Sequence, residues 1–342
     1  MSKRFKNLFD LQAPIALAPM ALASGGALAA ACARAGALGL VGGGYGELAW
    51  TQREYALACA LAAKTPSQPG SAGTSGGSSD LRRIGIGFIT WKLAQDAAAL
   101  DWALDQPHAP VAVMVSFGDP RPFAQRIVAT GARLICQVQT MAQVPQCVEA
   151  GAHIIVAQGA EAGGHGMNAL NGRSSLTFVP ELADWLASYS PQTLLLAAGG
   201  VADARTLAAV QLLGADGAVV GSRLWATQES LAAPGAKTLA VATDGDGTAR
   251  SSVFDILRRK NWPAPYDFRA IRNALHRRLE EDVPALRGAP AAARAEYEAG
   301  VSSGDFTRAH ATVGEAVGLI HDLPSAAQAI HQMMDGAPRA RA

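Results

Sequence analysis

Between residues 14 and 220 the chain switches about eight times from a short apolar run to a helical stretch and back. The apolar runs cover 14–20, 38–41, 84–91, 111–116, 133–139, 153–158, 193–198 and 217–220. Helices read over 27–35, 50–64, 93–104, 123–129, 141–150, 180–188 and 204–213 separate them, several stopped by a glycine such as Gly36, Gly131, Gly151 or Gly214. This order predicts an α/β fold, a (β/α)8 TIM barrel over 1–226. A doubly wound sheet would more often show G-x-G-x-x-G after its first strand, and none occurs there.

Composition matters where it removes alternatives. With 342 residues, 49% hydrophobic and 17% charged, the chain can bury a large core. A net charge of +1 without a long basic run argues against nucleic acid or a membrane surface as partner. Cys32, Cys59, Cys136 and Cys147 lack C-x-x-C spacing and read as buried thiols, so no metal site is expected. The basic start runs into Asp10, Gln12 and Pro14 and lacks a signal-peptide core, and no stretch resembles a membrane span. A cytoplasmic protein is expected.

Residues 65–80 are rich in Gly and Ser and read as a flexible surface insertion within the barrel. After residue 226 the rhythm is lost. Helices read at 268–279 and 291–299 suggest a helical cap or lid over 227–322, followed by a C-terminal helix and tail over 323–342. This part is read as closing the active site or forming a homodimer contact.

The chemistry is expected where the sixth run ends, at Gln158, in the turn Gly159-Ala160-Glu161-Ala162-Gly163-Gly164-His165-Gly166. A glycine-flanked histidine beyond the carboxyl end of a buried strand stands where barrels carry out reactions. Gly163, Gly164 and Gly166 remove side chains around His165 and let the backbone approach something flat or anionic. The turns Gly199-Gly200 and Gly221-Ser222, after the seventh and eighth strands, occupy the usual phosphate position of this fold. A phosphate beside a glycine-bared centre suggests a flat phosphorylated cofactor, with Gln137 and Gln158 at its edges. His108, His153, His276, His310 and His321 lack such a setting and read as surface or structural. Asp244-Gly245-Asp246-Gly247 reads as a surface turn.

These segments carry a resemblance. Ala18-Pro19-Met20, the run from Ala157 to Gly166, Ala198-Gly199-Gly200-Val201-Ala202-Asp203 and the run from Gly214 to Arg223 together resemble the nitronate monooxygenase family, formerly 2-nitropropane dioxygenases, which are FMN-dependent barrels. The resemblance implies that His165 is the catalytic histidine beside the flavin. It also implies that Ala18, Pro19, Met20, Gln137, Gln158, Gly163, Gly164, Gly199, Gly200, Gly221 and Ser222 bind FMN. Two departures bear on the substrate. The third strand has Gly85-Ile86-Gly87-Phe88 where many members carry an Asn, and Gln137 stands where a Lys is frequent.

The implied function is oxidation of an alkyl nitronate or nitroalkane with O2 to a carbonyl compound and nitrite. His165 has two readings there: protonated, it stabilises an anion; neutral, it removes an α-proton. Glu161 either assists it, caps a helix or is a solvated loop carboxylate. The rivals are an FMN- and NAD(P)H-dependent enoyl-acyl-carrier-protein reductase and a non-catalytic flavin-binding barrel.

Overall fold

The computed structural model describes residues 3–63 and 80–335. In chain order its strands are β1 (Ile15–Leu17), β2 (Gly39–Gly44), β3 (Ile84–Ile89), β4 (Ala112–Ser116), β5 (Arg133–Val138), β6 (Ile154–Gln158), β7 (Gly164–Met167), β8 (Leu194–Ala198), β9 (Gly217–Val220), β10 (Thr248–Ser251) and β11 (Tyr266–Ile271). Eight of them pair in parallel in the order β1-β9-β8-β6-β5-β4-β3-β2. The two ends of that order meet. Leu38 N–H donates to Ile15 O at 2.9 Å and Leu17 N–H donates to Leu38 O at 2.8 Å. The sheet is thereby a barrel, as the alternation predicts.

Side chains alternate across each strand because successive Cβ atoms point to opposite faces. Leu40, Met114, Ile135, Ile154, Val156 and Leu196 fill the interior. Val41, Ile86, Val113, Ile155, Leu195 and Val220 face the surrounding helices. Phe5, Phe9 and Leu11 join the interior cluster, so the helix Arg4–Phe9 stoppers one end of the barrel. That end is the amino end of the strands. A Cβ on Gly217, the first residue of β9, would stand 3.0 Å from the Phe5 ring. The carboxyl ends are left as the mouth.

The segment beyond the barrel contains helices, including Pro234–Val241, Ala274–Leu279 and Ala291–Ser303, and also two strands. The helix read over 268–279 is corrected: β11 occupies its first part and the helix begins at Ala274. Phe268 and Ala270 are buried with the less buried Arg269 between them, a period of two that the neighbouring alanines and charges obscure. β11 pairs antiparallel with both β10 and β7, placing Phe268 opposite His165. The turn containing His165 is therefore partly a strand.

The final helix Ala326–Asp335 sends Ala326, Ala329, Ile330 and Met333 into the outer barrel core. The insertion read at 65–80, apart from Asp80, and the tail from 336 lie outside the described residues. Among the described residues no helix is long and apolar enough to cross a membrane.

Candidate active site at the barrel mouth

Ala18, Pro19, Met20, Gln137, Gln158, Gly163, Gly164, His165, Gly199, Gly200, Gly221 and Ser222 all line one cavity of about 820 Å³. They come from the carboxyl ends of β1, β5, β6, β8 and β9 and from β7. Residues from beyond the barrel, among them Arg258, Lys260, Trp262, Phe268, Tyr297 and His310, complete the wall.

Gln158 is tied to the histidine. Its Nε2 donates to His165 O at 2.9 Å, and its Oε1 accepts from Gln139 Nε2 at 2.9 Å. The end of β6 thus holds the histidine backbone from below, while pairing with β11 holds it from the side.

The imidazole is sandwiched. Its Nε2 lies 3.0 Å from both carboxylate oxygens of Asp255. The Trp262 ring stacks on it at 3.5 Å and 12°, and Phe268 tilts against it at 4.8 Å. The His165 and Asp255 side chains are only 8% and 6% exposed. Burial lowers the His165 pKa to about 4, prevailing over the upward pull of Asp255, and the cations Arg258 and Arg250 add to the lowering. The ring is therefore neutral at pH 7. A carboxylate against Nε2 selects the tautomer with its proton there, leaving the lone pair on Nδ1.

Arg250 clamps the same turn from behind. Its Nη1 donates to Gly164 O at 3.1 Å and Asp267 O at 2.7 Å, and its Nη2 donates to Ala162 O at 2.6 Å and Ala160 O at 3.2 Å. Burial lowers its pKa to about 10, which still leaves it charged at neutral pH. The glycines around His165 make room for the chain itself. A Cβ on Gly163 would meet the backbone of Val313 at 2.5 Å, and one on Gly166 would meet Arg250 at 2.9 Å. The close approach expected there is made by protein.

Glu161 takes its second reading. It accepts from Ser175 N–H at 3.1 Å and so caps the helix Ser175–Tyr189. In the turn expected to face a phosphate, Gly199 and Gly200 adopt φ of 99° and 74°, which favour glycine. The N–H groups of Gly200, Gly221 and Ser222 find no acceptor among the described residues. Ser222 Oγ accepts from Gly314 N–H at 2.8 Å and keeps its own proton to donate. The glycine on β3 also has a reason: a Cβ on Gly87 would stand 2.4 Å from the Pro19 ring.

Sequence reasoning missed Asp255, Arg250, Arg258 and Trp262, all from the region where the rhythm fails. Asp255 had one signal, a lone carboxylate inside the apolar run Val253-Phe254-Asp255-Ile256-Leu257. His310 is not a surface residue. It is half-buried in the cavity wall with Nδ1 2.7 Å from Tyr297 Oη, and desolvation lowers its pKa to about 3. His153 and His276 are structural, bonded to Leu134 N–H and Ser251 Oγ. Asp244 closes its turn by accepting from Gly247 N–H at 3.0 Å.

The family model for nitronate monooxygenase matches residues 89–336. A nitronate monooxygenase of Neurospora crassa is 31% identical over 94% of this chain and 88% of its own length. The chain belongs to the nitronate monooxygenase family. Nitronate monooxygenase npaC of Metarhizium robertsii is also 31% identical, over 97% of this chain and 93% of its own. Two solved structures share the fold. FabK from Thermotoga maritima superposes with a TM-score of 0.74 at 23% identity, covering 98% of this chain and 95% of that one. A nitroalkane oxidase from Streptomyces ansochromogenes gives 0.71 at 24%, covering 96% of each. Membership makes this nitronate monooxygenase family protein a flavin-dependent oxidoreductase acting on a small molecule.

Proposed function

We propose that this chain oxidises alkyl nitronates with O2 to carbonyl compounds and nitrite, using FMN. The observation that carries the reading is a neutral, carboxylate-anchored His165 in the same barrel-mouth cavity as a set of uncommitted phosphate-position amides.

The residues fit FMN. The Gly200, Gly221 and Ser222 N–H groups suit its phosphate, and the apolar wall of Ala18, Pro19 and Met20 suits a flat ring. Gln137 offers an amide at the ring's edge, with Gly163, Gly164 and Gly199 completing the lining. When bound, FMN supplies the redox chemistry. The protein binds, orients and excludes water. Asp255 fixes the His165 tautomer, Gln158 fixes its backbone, and Trp262 and Phe268 keep water from its ring faces.

The basicity of His165 favours one substrate form. A base whose conjugate acid lies near 4 is poorly matched to a carbon acid, because general-base catalysis is best with a pKa near the working pH. The site therefore takes substrate already ionised as the nitronate, and turns over neutral nitroalkanes slowly.

The test is oxygen uptake by FMN-loaded protein with an alkyl nitronate, with and without NADH. Uptake and nitrite release without NADH are expected, with kcat/KM higher for the nitronate than for its parent nitroalkane. No uptake with nitronate, together with NADH oxidation driven by an enoyl thioester, would overturn the reading.

A further inference from the structure

A neutral histidine leaves an anionic substrate without a counter-charge, and most cations around the cavity already have their donors occupied. Arg250 gives both terminal nitrogens to four backbone carbonyls, and only its Nε, which faces along the side chain, lacks a partner. Arg269 pairs with Glu315 at 2.9 Å and bonds to Thr248. Arg259 pairs with Glu298 at 2.9 Å near the surface. Lys260 places its ammonium 4.1 Å over the Tyr45 ring.

Arg258 lies beside the Tyr45 hydroxyl but keeps a terminal nitrogen free. It follows the helix Val253–Leu257 that carries Asp255, its side chain is 16% exposed, and it lines the cavity with His165. Its guanidinium lies 4.7 Å over the Phe268 ring, the same ring that touches the imidazole. Its Nη1 is buried with no hydrogen-bond partner. The nearest carboxylate, Asp255, is 4.0 Å away, too far for a hydrogen bond, and both its oxygens already face His165. A buried charged donor without an acceptor is costly, and proteins retain such groups where a ligand completes them. The charge is felt across the cavity, adding to burial in lowering both His165 and His310.

A guanidinium offers a planar fork of N–H groups that matches two oxygens of a planar anion, and a nitronate presents such a pair. We infer that Arg258 is the anion-binding residue of the reaction, its guanidinium, with Nη1 unpartnered, holding the nitronate oxygens beside His165. This rests on the nitronate reading, and it predicts a subsite for planar oxyanions that can be measured without turnover.

Nitrate, a planar oxyanion that the reaction does not consume, is the probe. FMN-loaded protein is titrated with nitrate by calorimetry, and nitrate is then tested as an inhibitor of nitronate oxidation. Saturable, competitive binding is expected, weakened at least tenfold or so in Arg258→Met and less in Arg258→Lys, which keeps charge but loses the fork. Nitronate kcat/KM should fall roughly 100-fold in Arg258→Met with FMN retained. Lys260→Met should leave nitrate binding within about twofold, since its ammonium is a point charge engaged with Tyr45. Should Arg258→Met not fold, a full-strength nitrate site in Arg258→Lys overturns the fork. Absent nitrate binding, unchanged binding in Arg258→Met, or an equal loss in Lys260→Met also overturns the assignment. Arg258-dependent nitrate binding without nitronate turnover would keep the subsite and sink the nitronate reading instead.

Discussion

The imidazole of His165 is governed by two opposed influences, and their order decides what the residue can do. Burial disfavours the charged ring, Asp255 favours it, and burial prevails. Replacing Asp255 with Asn removes the favouring influence, so the His165 pKa should fall further below about 4. The acid limb of kcat/KM with a nitroalkane should then move to lower pH. A limb that stays in place or moves up would show that the carboxylate does not act on the ring. His165→Asn should retain the flavin and lose about 10²–10³-fold in kcat/KM with a neutral nitroalkane, within the range of a general base. With a preformed nitronate the loss should be smaller, since no proton has to leave carbon. Equal losses on both substrates would contradict the weak-base role.

At the scale of elements, the site depends on a strand borrowed from outside the barrel. β11 inserts between β7 and β10, and Arg250 on β10 reaches back to the carbonyls of the histidine turn. The segment at Val313-Gly314 docks on the same turn through Gly163 and hydrogen-bonds to Ser222. A methyl group at position 163 has no space, because backbone and not a flexible side chain stands in its way. Gly163→Ala should cost roughly 1–3 kcal/mol, the usual penalty of overpacking, measured as a lowered urea midpoint with unchanged slope. It should also weaken flavin retention, because the displaced segment hydrogen-bonds through Gly314 to Ser222 at the cavity wall. An alanine variant as stable as the parent would show that the two segments separate freely.

At the scale of the whole molecule, buried neutral histidines make the fold sensitive to mild acid. His165 and His310 have pKa values near 4 and 3, and burial lowers His276 and His153 as well. Unfolded, each would protonate near 6.5. Between those values the unfolded chain binds more protons than the native one, so stability falls as pH drops from about 6.5 towards about 4. Melting temperatures taken at steps from pH 7 to 4.5 should decline before the carboxylates with lowered pKa, such as Asp203 and Asp322, begin to protonate. His310→Gln, which cannot titrate, should flatten part of that decline. A profile flat to pH 4.5 would mean that these rings take up protons without unfolding.

Much of this was legible in the chain itself. The barrel follows from apolar runs and glycine-stopped helices, because strand and helix periods are local properties. The residues that gather at the mouth follow too, since the end of each strand is known once the strand is. His165, Gln158 and Ser222 could be named from their positions alone. What each does could not. Gln158 turns inward to hold the His165 backbone, and Gly163 admits Val313 and Gly314, contacts across 7 and about 150 residues that no local pattern records. Asp255, Arg258 and Trp262 lie about 90 residues downstream of the histidine, and only the pairing of β11 with β7 brings their segment onto it. The charge state of His165 was open in the sequence for the same reason. It is set by desolvation and by neighbours, and both exist only once the chain has folded around the ring.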